Sequence, residues 1–366
     1  MSKFKANFTL KQHTPIIHFQ SNQNGATLRA TELKPKFDKF LLDNVEGIEN
    51  SNGHRSLDYK VKIEPNISQS KEIDDKNPLF FGNMGDGEKK RFKENNKNFK
   101  IEFFSFKKVL LKTIKENFEA FLANTNFGTR QSKGFGSFYI VDRKFDKSLI
   151  QYKVYSFFTE DWQRDIGLLY QFLRQGINLT KRVKSPFYTK PAIFSYAKRK
   201  NWQWDKKSIK ERYFHRQLKS QIEEHNRDIL TFSSEDKYLL RDLFGLSSSQ
   251  EWMSYHKTIE KEDIHKDEKN NPIIERFKSP ITFKVVDNIV YFWANDTINQ
   301  MLNQTFNIKA GRGNDSLNLS TPNEFDFDEF FDFAFSINLE NHINNDFHKA
   351  KEFNSLKKIL NSIKAK

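Results

Sequence analysis

The run Gly128-Thr129-Arg130-Gln131-Ser132-Lys133-Gly134-Phe135-Gly136-Ser137 places three glycines and two cations within ten residues. Glycine tolerates positive φ and lets a ligand approach the main chain closely. Exposed amide N–H groups in such a turn can cradle a phosphate. Arg130 and Lys133 supply charge where that approach would occur. The chemistry on offer is polyanion binding. The run is no P-loop, because the Gly-Lys-Ser/Thr ending is missing, and no dinucleotide fingerprint, because it leads from a helix into a strand. The same spacing also suits a helix C-cap at Gly128 followed by a β-bulge at Gly134 or Gly136. The two uses are compatible.

Other residues offer less. None of the nine histidines sits in a metal-ligand pattern such as His-Glu-x-x-His. His13 and His18 lie near the first expected strand, where either could serve as a general acid or base; an ordinary polar histidine is far commoner. Asp74-Asp75 could hold a divalent cation, but two carboxylates make no complete site. With no cysteine, disulfides and thiolate metal sites are excluded. No cofactor and no metal are implied.

Charge is unevenly spread over the 366 residues, whose formal net charge is +14. That balance favours a polyanionic partner, although a Lys-rich composition also arises without one. Residues 181–219 carry 13 Lys/Arg against two acids, interleaved with Phe187, Tyr188, Phe194, Tyr196, Trp202, Trp204, Tyr213 and Phe214. Such a stretch either stacks on unpaired bases or covers an aromatic core with a basic surface. Residues 313–348 hold eight acids and no Lys or Arg, with phenylalanines from Phe325 to Phe335 among them. They suit docking of a basic neighbour, or an ordinary helix with its acids in water.

The elements that would position these groups follow from hydrophobic periodicity. Residues 3–10 alternate as a strand, 27–42 read as a helix with Pro35 beginning or kinking a turn, and 59–63 alternate again. Residues 65–98 read as a long loop, 99–106 as a strong strand, and 107–123 as the clearest helix, with Ser105 near its start as a cap. Strands follow at 137–142 and 150–157. The order over the first 157 residues is β-α-β-β-α-β with an extension. Beyond it, helices are expected at 162–175, 208–225, 236–244 and 346–363, a hairpin over 281–294 turning at Asp287-Asn288, and a mobile charged loop over 257–274. The N-terminus lacks a signal-peptide apolar run, and no stretch approaches a membrane span, so a soluble cytoplasmic protein is expected.

The glycine-rich run resembles the loop that follows the second helix in RAMP-superfamily CRISPR-associated proteins. Its family pattern is met at Gly128, Arg130, Lys133, Gly134, Phe135 and Gly136. Thr14-Pro15-Ile16 with Leu28-Arg29, and Arg276-Phe277-Lys278-Ser279-Pro280-Ile281, are similar to further segments of two-domain members, most closely the terminal Cmr-type subunits of type III effector complexes. No second Gly-Phe-Gly loop is present, and Gly311-Arg312-Gly313 is a weak substitute.

This resemblance implies an α+β fold of ferredoxin-like (RRM-like) RAMP domains, two in tandem with the second divergent: a domain over 1–157 carrying the loop, and one over 158–366 with helical insertions. It implies contact with CRISPR RNA and possibly target RNA, other RAMP subunits as partners, and no membrane. Arg130 and Lys133 would meet phosphate, with Gly128, Gly134, Phe135 and Gly136 shaping the approach. Arg29, Lys34 and Lys36 form a second candidate cluster, or simply a solvated helix face. The expected role is antiviral defence by RNA binding without catalysis. The alternatives are a CRISPR-RNA-processing, metal-independent endoribonuclease using His13 or His18, and a scaffold subunit that touches no RNA.

Overall fold

Alternation along β1 (Lys5–Gln12) points Ala6, Phe8 and Leu10 inward, because successive side chains of a strand leave opposite faces. The computed structural model describes residues 3–17, 27–48, 56–64, 69–72, 91–182, 184–214, 237–252, 257–310 and 315–365. The chain forms two compact units, one made of residues 1–167, 282–293 and 362–366, the other of 168–281 and 294–361. The division therefore interleaves, where a single cut near residue 157 was expected. The chain returns to the first unit because its hairpin and its C-terminal end pair with a strand there.

In the first unit, β1 is followed by α1 (Ala30–Asn44), β2 (Lys60–Ile63), β3 (Gln69–Glu72), β4 (Arg91–Glu94), β5 (Phe99–Phe104), α2 (Lys108–Asn124) and β6 (Phe138–Ile140). The main sheet runs β2-β5-β1-β6 with every neighbouring pair antiparallel. One face is covered. Leu33, Phe37 and Leu41 of α1 and Leu111, Ile114, Phe118 and Phe121 of α2 pack with Ala6, Leu10, Phe99, Ile101 and Phe103. Phe37 meets Phe103 and Phe118 edge-on and Phe121 tilted, and Phe103 meets Phe118 edge-on, arrangements that aromatic quadrupoles favour.

Within 65–98, β3 and β4 pair antiparallel, so at its described ends this stretch is a ribbon rather than loop. Ser105 does not cap α2. Its hydroxyl accepts from the Lys107 N–H at 3.1 Å and donates to the Asp58 carbonyl at 2.8 Å, fixing the turn before the helix. Pro35 lies inside α1.

The same unit has a second sheet. β7 (Tyr155–Phe158) pairs antiparallel with strand Ile289–Ala294, which returns from Ile281–Val286, and the short strand Lys364–Ala365 pairs with the other edge of β7. The turn falls at Asp287-Asn288, as expected. Both residues have positive φ, 46° and 62°, as a tight hairpin turn requires.

The second unit centres on a six-stranded sheet whose middle strands are Leu317–Ser320, Thr305–Ala310 and Lys257–Asp263. The last of these corrects the expectation of a mobile loop over 257–274. Its charged residues do not all face water. Lys261 is 2% exposed and ion-paired to Asp242, itself 3% exposed. Arg241 lies 3.9 Å from the fully buried Asp205, whose carboxyl burial pushes up while Arg241 opposes the shift. Of the helix expected over 236–244, the described residues 237–244 form a short strand, Lys237–Tyr238, and a 3-10 turn instead. Helices Trp162–Arg174 (α3) and Lys351–Ser362 are close to expectation, whereas most of 208–225 lies outside the described residues.

Candidate nucleic-acid interface

The glycine-rich turn is pinned to its own protein on nearly every side. Gly128 N–H donates to the Glu32 carboxylate, Thr129 N–H to Ile17 O at 2.7 Å, and Gly136 N–H to Pro15 O at 2.8 Å. Lys133 and Gly134 donate back to Arg130 and Gln131, and Ser137 N–H donates to the Thr14 hydroxyl at 2.8 Å. These six amides were the expected phosphate cradle. They are spent inside the fold, and at Gly128 a carboxylate occupies the place an anion would take.

The glycines answer internal needs. A Cβ on Gly136, at φ +67°, would lie 1.9 Å from the Phe127 carbonyl oxygen. On Gly128, at φ +78°, it would lie 2.6 Å from the Ile16 side chain and 2.7 Å from Ile17 O. Close approach is indeed why glycine stands there, but the approaching group is the chain itself. Phe135 is fully buried against Trp162, ring centroids 4.9 Å apart, so it offers no base a platform. Lys133 is 7% exposed, with its Nζ 6.0 Å from the Phe283 ring centroid. The reading of Lys133, Gly134, Phe135 and Gly136 as strand-contacting is corrected to an internal one. The outer arm, Gly128 to Ser132, remains partly exposed, with Arg130 at its tip in the left-handed region, φ 59°.

A brace lies beneath that arm. Asn126 donates to Gln131 O at 2.7 Å and to Phe283 O at 2.8 Å. Lys284, fully buried, donates to Thr125 O at 2.9 Å and to Asn126 Oδ1 and Phe138 O at 3.3 Å each. Burial pulls the Lys284 pKa down to about 7, while three oxygen acceptors favour its ammonium form. Periodicity did not reveal this lysine; it sits within the hairpin read over 281–294.

The second cluster does not gather as a phosphate site either. Lys34 pairs with Asp38 at 2.7 Å, donates to Leu57 O at 2.8 Å and lies 4.1 Å from the Tyr59 ring centroid. Lys36 pairs with Glu32 at 3.1 Å and donates to Asn126 O at 3.2 Å; burial lowers its pKa against the pull of Glu32. Both were expected on a phosphate-facing or solvated face. Both instead tie α1 to its neighbours. Arg29 begins α1 through its carbonyl, which accepts from Glu32 and Leu33, and its side chain is partly exposed.

His13 lines a cleft of about 520 Å³ together with Lys11, Asn98, Arg143, Lys144 and Asp287. Its Nδ1 accepts the Asp287 N–H at 3.3 Å, which leaves the ring proton on Nε2. Burial lowers its pKa to about 4 despite the Asp287 carboxylate, itself held down chiefly by its hydrogen bond from Lys11 at 2.8 Å. A neutral imidazole of that kind is a weak base and a poor proton donor near neutrality. His18, Asp74, Asp75 and the Gly311-Arg312-Gly313 turn lie outside the described residues. Among the described residues, no group of three metal-ligating side chains occurs.

In the second unit, the basic aromatic stretch and the acidic phenylalanine segment turn out to be each other's neighbours. Tyr196, on helix Ala192–Arg199, packs edge-on against Phe325, Phe330 and Trp202, and Phe330 lies on helix Phe327–Phe335. Lys200 pairs with Glu329 at 2.8 Å. Phe187, Tyr196 and Phe214 are buried, while Tyr188 is 40% exposed. A basic surface over an aromatic core is therefore the better description of residues 187–214.

Profiles of the Cmr1 N-terminal domain and the Cmr1 C-terminal domain match residues 3–177 and 188–364. The chain belongs to the Cmr1 family, Cmr-type RAMP subunits of type III CRISPR effector complexes. Among solved structures it is similar to apo Cmr1 from Pyrococcus furiosus, with 11% identity, 80% of this chain and 88% of that one covered, and a TM-score of 0.36. No curated protein matches. The fold is mixed α+β, and among the described residues no helix is long and apolar enough to cross a membrane.

Proposed function

We propose that this chain holds guide RNA, or guide RNA paired with its target, within a type III effector, beside other RAMP subunits, and does not cut it. Family membership over nearly the whole chain carries the effector reading. The observation that favours an RNA-holding role at the loop is the braced, partly exposed arm Gly128–Ser132, which presents Arg130 from a fixed base. The β2-β5-β1-β6 order with two helices on one face supports a ferredoxin-like first unit. Cleavage by His13 is disfavoured by its burial and low pKa.

Filter binding across a salt series tests this. RNA affinity should fall with a log–log slope of about −0.7 per neutralised phosphate for single strands. Arg130→Gly should keep folding stability within about 1 kcal/mol, since glycine accepts φ 59° freely, yet flatten the slope by about 0.7. Absent or salt-independent binding contradicts the RNA role; an unchanged slope removes Arg130 from it.

A further inference from the structure

The helices cover one face of the first sheet; the other is open over β2, β5 and the start of β1, while at β6 Tyr139, opposite Lys11, is buried against Phe145. Strand alternation sends Lys5, Asn7, Thr9 and Lys11 outward from β1, Lys60 and Lys62 from β2, and Lys100, Glu102 and Phe104 from β5. The register sets them in rows. Phe104 stands opposite both Lys5 and Lys60, and Glu102 opposite both Asn7 and Lys62. The face thus carries five lysines against two glutamates, Glu102 and Glu64, with an aromatic ring flanked by cations on both sides.

Among the described residues three of the five lysines are paired, Lys11 with Asp287 at 2.8 Å one of them, and two are not. Glu102 pairs with Lys5 at 2.8 Å, and Lys100 reaches Glu64 only at 3.9 Å with 69% of its side chain exposed. Lys60 and Lys62 are exposed and have no ion pair among the described residues. Beyond Phe104, Phe106 is 76% exposed and meets the Phe104 ring edge-on at 5.0 Å. Phe106 also meets Phe4 edge-on at 5.7 Å, and most of its ring is still left to solvent. Lysines neutralise phosphates, and an open ring stacks on any unpaired base. Lys60 and Lys62, two residues apart on a strand, lie about 6.8 Å apart along the sheet, on the scale of one nucleotide step of an extended strand.

We infer that this open face is a docking platform for single-stranded RNA, with Phe106 and Phe104 stacking on bases and Lys60 and Lys62 meeting phosphates. The inference rests on the RNA-holding reading above but uses a surface separate from the glycine-rich arm. Charge complementarity selects the occupant, because a protein partner would need a dense acidic strip, whereas RNA supplies one phosphate at every step.

The test uses the full-length chain, a fluorescent single-stranded oligoribonucleotide and a matched RNA duplex, with thermal melts to check folding. Lys60→Glu with Lys62→Glu should weaken single-strand binding by about tenfold or more and flatten the salt slope by about 1.4. Phe106→Ala should cost about fivefold or more for the single strand and little for the duplex, whose bases are already stacked. Wild-type protein that binds RNA while these variants keep its affinity and slope overturns the platform and leaves the function of the arm standing. Wild-type protein that binds no RNA overturns both. Variants that keep RNA but lose a co-purifying subunit assign the face to a protein and overturn the platform as well.

Discussion

Gly136→Ala is expected to cost about 3–6 kcal/mol of folding stability, enough to leave a substantial unfolded fraction in a domain of ordinary stability. Two causes add. The left-handed backbone at φ +67° costs a residue bearing a Cβ about 1–2 kcal/mol. The new methyl then meets the Phe127 carbonyl at 1.9 Å, a backbone atom with no rotamer to escape into. Relief would require breaking the Phe127 N–H to Gly136 O bond at 2.9 Å or the Gly136 N–H to Pro15 O bond at 2.8 Å, each worth about 1 kcal/mol net. Gly134→Ala is the comparison. Its Cβ would meet side chains alone, Ile166 at 3.0 Å, Val285 at 3.3 Å and the Trp162 ring at 3.4 Å, so it should cost the backbone strain and little more, about 1–2 kcal/mol. Urea unfolding of both variants measures the difference. Near-equal midpoints would mean that the turn is not the internal staple described above.

Lys261→Met should be the most damaging single change in the second unit, at about 3–5 kcal/mol. It removes the ammonium from a buried pair and leaves the Asp242 carboxylate 3% exposed with no other ion pair among the described residues. Desolvating a charge is tolerated only while its partner is present. Lys261→Met combined with Asp242→Leu should therefore recover most of the loss, to within about 1 kcal/mol of the wild type. A double variant as unstable as the single one would show that strand Lys257–Asp263 depends on something other than this pair.

That strand marks the boundary of what the sequence discloses. Residues 257–274 are dense in charge, and charge ordinarily means solvent, so a mobile loop was the natural expectation. The partner that permits burial, Asp242, lies 19 residues away, and no local pattern announces it. Where the deciding interactions are local, expectation and structure agree. α2 repeats its apolar residues on one face, the hairpin turns at Asp287-Asn288, and β1 alternates.

The candidate site divides along the same line. A glycine that lets a phosphate close and one that lets a carbonyl close have the same sequence signature. Hence the position of the turn was legible, and the group approaching it was not. Lys34 and Lys36 looked like surface cations because their acids, Asp38 and Glu32, stand four residues away on the same helix, a spacing equally common on solvated faces. The lysine-bearing sheet face was missed for another reason. Lys60 and Lys62 were legible as the outer residues of an alternating strand, but their alignment with Phe104 and Lys5 exists only once β2, β5 and β1 are in register.

Mapping where RNA crosslinks to the purified full-length chain tests the central claim most directly. If RNA lies along the first unit while the glycine turn serves the fold, ultraviolet crosslinks should fall on Phe104, Phe106 and peptides of the Gly128–Ser132 arm, with none on buried Phe135. Crosslinks concentrated at Phe135, or confined to residues 168–281 and 294–361, would contradict it.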